Sequence, residues 1–307
     1  MNDQRIMRLV LLTFALVIVL GIVFGAYYYW DRYIHLGDKS PTDLAAEHLL
    51  QQVRENPQDP DLRVTLAGVY LKDGLPQQAI DQAAQVLEQY PDHQEALLVV
   101  GLSYSQLGEM QPAVAALEKF SDMRRNAPMS AADPVLEAAL YYLGQNYLIL
   151  EEPNKAETVL LEALEIERTD ADAMYLLGQA YAQQNKHQLA IEQYHKAARF
   201  VPDFTEAYQA MAASYSKTGE HDYANYALGA QAFSLGDYAE AQEVLSASIE
   251  SLPNFAPAYW ALGLTYEKMG DWEKAQQYLI RSLELDPGSY VAEHALGRIE
   301  AAIETGK

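Results

Sequence analysis

The sequence predicts an all-α protein in which a solenoid of antiparallel helix pairs follows one transmembrane helix. Residues 256–289 form a 34-residue segment with apolar residues spaced as on one face of a helix, and similar segments recur along the chain. Residues 9–30 give the second signal, because none of these 22 residues is charged. A chain of 307 residues also exceeds a single compact core unless its units stack as repeats.

Residues 1–8 are interpreted as a short tail, residues 9–30 as a transmembrane anchor and residues 31–41 as a tether. At about 1.5 Å per residue, a helix of this length can cross a hydrocarbon core of about 30 Å. The aromatic residues from Tyr27 to Trp30 suit the headgroup level of a bilayer. A cleaved signal peptide is the alternative, but its apolar region is normally shorter and ends in small residues.

The predicted anchor also indicates an orientation and a packing face. Arg5 and Arg8 precede the span, so we expect a cytoplasmic amino terminus and a repeat domain on the extracytoplasmic side of the cell membrane. Gly21 and Gly25 lie on one face of the predicted helix, where small residues permit close packing against another membrane helix. Chance spacing of glycine is the alternative explanation. Residues 9–30 are thus predicted to contact the lipid bilayer.

Residues 256–289 show how one predicted helix pair is built. A glycine within an apolar helical face costs about 1 kcal/mol relative to alanine, so Gly263 requires a packing reason. Gly263 and Ala275 let two antiparallel helices approach closely, while Tyr266 and Leu279 fill the space around them. The full pattern comprises Tyr259, Leu262, Gly263, Tyr266, Gly270, Ala275, Leu279 and Pro287.

This pattern resembles the tetratricopeptide repeat (TPR), a helix–turn–helix unit of about 34 residues. The resemblance covers almost everything after the predicted anchor and implies a right-handed superhelix of antiparallel helix pairs. A helix near residues 42–55 precedes the repeats, and a capping helix after Ser289 ends them. Recognisable units begin at Pro60, Gln94, Glu137, Ala171, Thr205, Asp222 and Ala256.

The period lengthens at one join. The units at Gln94 and Glu137 begin 43 residues apart, which leaves nine extra residues in a polar stretch that contains Arg124 and Arg125. A tolerated surface loop explains this insertion. A protruding contact loop that carries the two arginines is the alternative.

The spacing between repeat units is shorter at a second place in the chain. The units at Thr205 and Asp222 begin only 17 residues apart, which is the length of one helix and its turn. We therefore predict that the helix near residues 222–234 is unpaired or used twice. This break divides the predicted array into residues 42–220 and 221–304.

The composition excludes several chemical functions. The chain has no cysteine, so it has no disulfide, thiolate metal site or cysteine nucleophile. Its formal net charge of -22 repels phosphate backbones, so nucleic acid is not an expected partner. Neither a helical zinc-site spacing of histidines nor a glycine-rich phosphate loop is present in the sequence. The chain is predicted to be a non-enzyme without cofactor, metal or small-molecule substrate.

The TPR resemblance implies a groove that is lined by the first helix of each unit and commonly holds a peptide or a partner helix. Members that hold a terminal carboxylate use lysine and asparagine there, whereas Lys72, Lys217 and Lys268 are isolated in this sequence. An aromatic and amide lining suits an extended or helical segment, although some of these aromatic residues could instead cover the interior. By position, the predicted groove residues are Leu98, Leu102, Tyr141, Gln145, Tyr175, Gln179, Gln209, Tyr226, Phe233 and Trp260.

These features together predict a membrane-anchored scaffold that binds a client protein beside the membrane, as an adaptor or assembly factor. A permanent accessory subunit of a larger membrane complex is the alternative. The two differ in stoichiometry, because a subunit stays at a fixed ratio to its complex and an adaptor exchanges.

Overall fold

The computed structural model describes residues 20–30 and 41–305, which form helices joined by turns, without any strand. Residues 20–30 form helix α1, and one 3₁₀ turn is present at Ser130–Ala132. The remaining helices are α2 (Pro41–Glu55), α3 (Pro60–Lys72), α4 (Pro76–Gln89), α5 (Gln94–Leu107), α6 (Met110–Arg125), α7 (Pro134–Ile149), α8 (Pro153–Ile166), α9 (Ala171–Gln183), α10 (His187–Phe200), α11 (Thr205–Thr218), α12 (His221–Ser234), α13 (Tyr238–Ser251), α14 (Ala256–Met269), α15 (Trp272–Leu285) and α16 (Tyr290–Thr305).

Local sequence sets where several helices begin. The side chains of Asp59, Asp133 and Asp170 each accept hydrogen bonds from backbone N–H groups in the first turn of the following helix. Those N–H groups have no partner within a helix, so the aspartates stabilise its start. Pro60 and Pro134 occupy the first helical position, where a fixed φ angle and a missing N–H cost nothing.

The chain divides into two compact units, before and after the junction between Pro91 and Asp92. In the first unit, α2 packs on α3 through a cluster that contains Ala46, Val53 and Leu66. The second unit contains α5 to α16, in which consecutive helices pack against each other. The predicted division between residues 220 and 221 falls inside this second unit.

Five first helices of the second unit place a glycine against a large side chain sixteen residues further on. A Cβ atom at Gly178 would lie 2.4 Å from the ring of Tyr194, and one at Gly144 would lie 2.5 Å from Leu160. Real Cβ atoms do not approach so closely, so glycine permits the contact between the paired helices. The pairs are Gly101 with Leu117, Gly144 with Leu160, Gly178 with Tyr194, Gly229 with Leu245, and Gly263 with Leu279.

The turn within each helix pair contains one residue with a positive φ angle, always seven positions after the paired glycine or its equivalent. Glycine adopts this left-handed conformation without steric cost, whereas a residue with a Cβ atom is strained there. Glu151 and Asn185 occupy the equivalent position in two turns, with φ angles of 58° and 59°. The glycines at this position are Gly74, Gly108, Gly219, Gly236 and Gly270.

Helix α12 is used twice, as the 17-residue spacing predicts. Gly219 forms a within-pair turn between α11 and α12, and Gly236 forms the same turn between α12 and α13. Helix α12 packs against both neighbours to the same extent. Ala224, which is 5% exposed, makes α12 the second helix of one pair. Gly229, which lies against Leu245 of α13, makes α12 the first helix of the next pair. The repeat phase therefore shifts by one helix at this point.

The insertion between α6 and α7 is tied to the body of the second unit. Arg124 forms an ion pair of 2.7 Å with Asp133, the residue that caps α7. Arg125 donates from Nε and Nη2 to the carboxylate of Glu162 on α8, each at 2.8 Å. Such bidentate pairs fix the orientation of both side chains. The arginines therefore anchor the join, and the alternative of a protruding loop that presents them is wrong.

Candidate functional site

The first helices α5, α7, α9 and α11 contact each other in sequence, so their facing residues form one continuous surface. Seven of the predicted groove residues lie on it, and none of them is fully buried. We call this surface the first-helix strip. It consists of Leu98 and Leu102 on α5, Tyr141 and Gln145 on α7, Tyr175 and Gln179 on α9, and Gln209 on α11.

The centre of the strip is ordered by contacts among its own side chains. The amide nitrogen of Gln179 donates to the hydroxyl oxygen of Tyr175 at 2.7 Å. The Tyr175 ring also packs against Phe204, with 5.1 Å between ring centroids. Tyr141 packs edge-on against Tyr142 at 5.3 Å. These contacts hold partly exposed aromatic rings in place, which lowers the entropy that a ligand must remove.

Carboxylates gather beside the two tyrosines of the strip. Burial raises the pKa of Tyr141 to about 12, and the charges of Asp172, Asp170 and Glu137 add to this effect. Burial and then the charge of Glu206 raise the pKa of Tyr175. These effects place the four carboxylates at the starts of α7, α9 and α11, next to the aromatic rings. We call Glu137, Asp170, Asp172 and Glu206 the acidic cluster.

The acidic cluster lacks a cation of its own. None of its four members forms an ion pair with a lysine or arginine in the described part of the chain. Burial, followed by a hydrogen bond and the charge of Asp170, raises the pKa of Glu137 to about 7. One oxygen of Glu137 is also buried without a hydrogen-bond partner. Like charges that cannot separate disfavour ionisation, so the cluster is poised to accept positive charge.

The structure buries three of the predicted groove residues. Tyr226 is 0% exposed, Trp260 is 4% exposed and Phe233 is 6% exposed. The ring of Tyr226 stacks on His195 of α10 at 6.0 Å and packs against Phe255 at 4.9 Å. His195 of α10 and Phe255, which precedes α14, thus cover Tyr226 on the face that a first helix would otherwise expose. Tyr226, Phe233 and Trp260 are therefore buried, which corrects their prediction as groove residues.

Sequence reasoning missed the acidic cluster. Carboxylates are frequent in this chain, with 43 Asp and Glu residues, so no group of them stands out by composition. The available signal was position: Asp172 and Glu206 both stand at the second residue of a first helix, one turn before the strip residues Tyr175 and Gln209. Side chains three residues apart share a helical face, so these carboxylates belong to the same surface.

The predicted membrane anchor is not shown by the structure. Over residues 20–30 and 41–305, no helix has both the length and the apolar character needed to cross a membrane. Residues 9–19 of the predicted span lie outside the described residues, as do the predicted tail and residues 31–40 of the tether. Among the described residues, nothing lies within 4 Å of the Cβ atoms that would be added at Gly21 and Gly25 of α1.

Three models of the tetratricopeptide repeat match the chain, and together they cover more than half of it. A tetratricopeptide repeat model matches residues 44–98 and 232–299, a second matches residues 94–126, and a TPR repeat model matches residues 178–219. The gap between residues 219 and 232 of the matched ranges includes the start of α12, where the repeat phase shifts.

Individual relatives match only part of this chain. Cellulose synthase operon protein C of Escherichia coli strain K12 is 27% identical over 149 residues, which are 47% of this chain but 13% of that protein. A crystal structure of MamA protein shares 26% identity with a TM-score of 0.52, over 59% of this chain and 94% of that one. A second MamA structure shares 27% identity with a TM-score of 0.50, over 57% and 96%. The helix pairs, their glycine contacts and these matches establish that the chain belongs to the tetratricopeptide repeat proteins.

Proposed function

We propose that this chain is a scaffold that holds a positively charged segment of a protein partner on the first-helix strip. The observation that carries the proposal is the acidic cluster, which adjoins Tyr141 and Tyr175 without a cation partner. A lysine or arginine of the partner supplies the missing charge, and its stem can lie across the tyrosine rings. Gln145 and Gln179 offer amide groups to the backbone of the same segment.

The proposal includes anchoring through residues 9–30, with the repeats on the extracytoplasmic side of the membrane. The uncharged stretch and its aromatic end support this arrangement. Anchoring raises the effective concentration of the strip near a membrane-bound client, so a weak contact with the strip is sufficient. The Gly21 and Gly25 face of α1 would then pack against a membrane helix.

Titration with a defined basic peptide tests the strip. We expect a fluorescent Lys-Arg-Leu-Arg-Lys peptide to bind the full chain, and Asp172→Lys with Glu206→Lys to weaken binding at least about tenfold. Both carboxylates are exposed, so their replacement leaves the core intact. Glu240→Lys with Glu243→Lys is the matched control, because it makes the same charge change at two exposed positions on α13.

The pH dependence gives an independent signature of the same site. Glu137 ionises with a pKa of about 7, so affinity for the basic peptide should rise between about pH 6 and about pH 8. Glu137→Gln removes that rise if the peptide lies at the cluster. Equal binding by Asp172→Lys with Glu206→Lys, or an equal loss in Glu240→Lys with Glu243→Lys, would refute the strip as the binding surface.

A permanent accessory subunit of a membrane complex is the second candidate. It is favoured by the glycine face of α1 and by the partial relative, whose name places it in a cellulose synthase operon. Native purification in mild detergent separates the candidates. A subunit co-purifies at a fixed ratio that Gly21→Leu with Gly25→Leu abolishes, whereas an adaptor loses its partner with Asp172→Lys and Glu206→Lys.

A further inference from the structure

A cavity of about 410 Å³ opens in the second unit, between the ends of α10, α12 and α14 and the start of α16. The shared helix α12 removes one helix from the array, so α10 reaches α16 directly. Arg199 at the end of α10 donates to the backbone oxygen of Gly288 at 3.4 Å, 89 residues further along the chain. This closure turns a stretch of first-helix surface into a walled site.

The floor of the cavity is apolar and its rim is aromatic. Phe233, Leu264 and Val291 are buried at the floor. Phe200 and Tyr290 stand at the rim with 47% and 57% of their surface exposed. A volume of this size lies within the range of ligand sites and accommodates one large side chain with adjoining backbone. The apolar part of a ligand is therefore an aromatic or large aliphatic group.

The charges around the cavity have the opposite sign to the rest of the protein. Three cations and two carboxylates line it, whereas the chain as a whole carries a net charge of -22. Arg298 is neutralised by Glu267 through two hydrogen bonds of 2.9 and 2.8 Å. Within the described residues, Arg199 and Lys268 form no ion pair. These two exposed cations favour an anionic ligand.

We propose that this cavity binds an acidic segment of a partner protein, with one aromatic or large aliphatic side chain on the cavity floor. Carboxylates that flank that side chain pair with Arg199 and Lys268, and the rings of Phe200 and Tyr290 cover the backbone. The site differs in location and in charge preference from the first-helix strip. One molecule can then hold two segments of opposite charge, which brings the two partner proteins together.

A peptide series tests the charge and the anchor separately on the full chain in mild detergent. The probe is a fluorescent Asp-Glu-Phe-Glu-Asp peptide, followed by anisotropy. Comparison peptides replace Phe with Ala, replace the acids with Asn and Gln, or replace the acids with Lys and Arg. We expect the probe to bind most tightly, and Arg199→Glu or Lys268→Glu to weaken it at least about tenfold.

Matched variants keep the test specific to the cavity. Lys196→Glu makes the same charge change on α10. Lys196 is exposed, does not line the cavity and forms an ion pair of 2.8 Å with Glu192. It should leave the affinity for the probe unchanged. Tyr290→Ala should weaken the Phe and Ala peptides alike, because the exposed Tyr290 ring covers the backbone of the segment and its loss leaves the cavity floor in place.

Three results would overturn the proposal. They are an absence of saturable binding at millimolar probe, equal affinity for the Asn and Gln peptide, and an equal loss of affinity in Lys196→Glu. Because the strip is tested with a basic peptide and other variants, failure of the cavity and failure of the strip are separate outcomes.

Discussion

His195 lies where three helices of the second unit meet. Its Nε2 atom is 2.7 Å from the hydroxyl oxygen of Tyr215, and its ring stacks on Tyr226. Burial lowers the pKa of His195 from 6.5 to about 4, so the ring is neutral in the folded protein at physiological pH. The contacts of His195 with Tyr215 and Tyr226 therefore depend on pH.

The lowered pKa makes a prediction about stability. The unfolded chain binds a proton at His195 near pH 6.5 and the folded chain does not, so stability is complete above that pH and falls as pH drops toward about 4. We expect a slope of at most about 1.4 kcal/mol per pH unit in this window, measured by urea unfolding. His195→Gln should abolish this slope. An unchanged slope would mean that other groups account for acid sensitivity.

Ionisation of Glu137 changes the stability in the opposite direction, over an overlapping range of pH. Its pKa rises from 4.5 to about 7 on folding, so its contribution to stability is present at low pH and is lost as pH rises through 7. The two groups partly cancel between about pH 4.5 and about pH 6.5. The His195 slope is therefore best measured in a Glu137→Gln background.

At the scale of one helix, the glycine contacts set the spacing within each pair. Gly178→Ala places a methyl group 2.4 Å from the Tyr194 ring, which is buried and cannot move away freely. We expect a loss of about 1–3 kcal/mol in unfolding free energy because the pair must separate or distort. Chemical denaturation followed by circular dichroism measures this loss.

Gly297→Ala is the matched control in the same unit. Gly297 lies within α16, where an added Cβ atom would meet nothing within 4 Å. Alanine has the higher helix propensity, so this variant should be stabilised by up to about 1 kcal/mol. If both variants shift stability in the same direction, packing against Tyr194 does not explain why residue 178 is a glycine.

The helices were predictable from sequence because each carries its own local signals. Gly263, for example, is an unfavourable residue within a helix, and its cost indicates the close contact with Leu279 that the structure contains. The change of phase at α12 was equally visible, as a spacing of 17 residues between units. Periodicity and turn residues therefore suffice for element type and order.

Burial across several helices was not predictable in the same way. Tyr226 occupies a position that is exposed in a regular first helix, and it is buried because His195 of α10 stacks on it. The cavity depends on Arg199 and Gly288, which are 89 residues apart in sequence. No repeat pattern reports such contacts, since they follow from how far the chain turns after the shared helix.

At the scale of the whole molecule, charge is far from balanced. The chain has 43 acidic residues against 21 lysines and arginines, so its folded form experiences self-repulsion at neutral pH. We expect the thermal midpoint at pH 7 to rise as NaCl increases from about 0.02 M to about 0.5 M, because salt screens that repulsion. Scanning calorimetry of the full chain measures the shift.

The same titration near pH 4.6, the isoelectric point of the sequence, provides the control. Net charge is close to zero there, and the rise with salt should disappear. A fall of the midpoint with salt at pH 7 would contradict the prediction. It would indicate that ion pairs such as Arg125 with Glu162 outweigh the net repulsion.

The double use of α12 has a consequence for how the second unit unfolds. In a regular repeat array each unit contacts only its neighbours, so a weak interface lets one end fray while the other persists. The interfaces of α12 do not provide such a weak point, because this one helix packs against both α11 and α13. Melting of α12 exposes both flanks at once. The shared helix thus makes the middle of this unit a cooperative block, and its amides should be among the slowest to exchange with solvent.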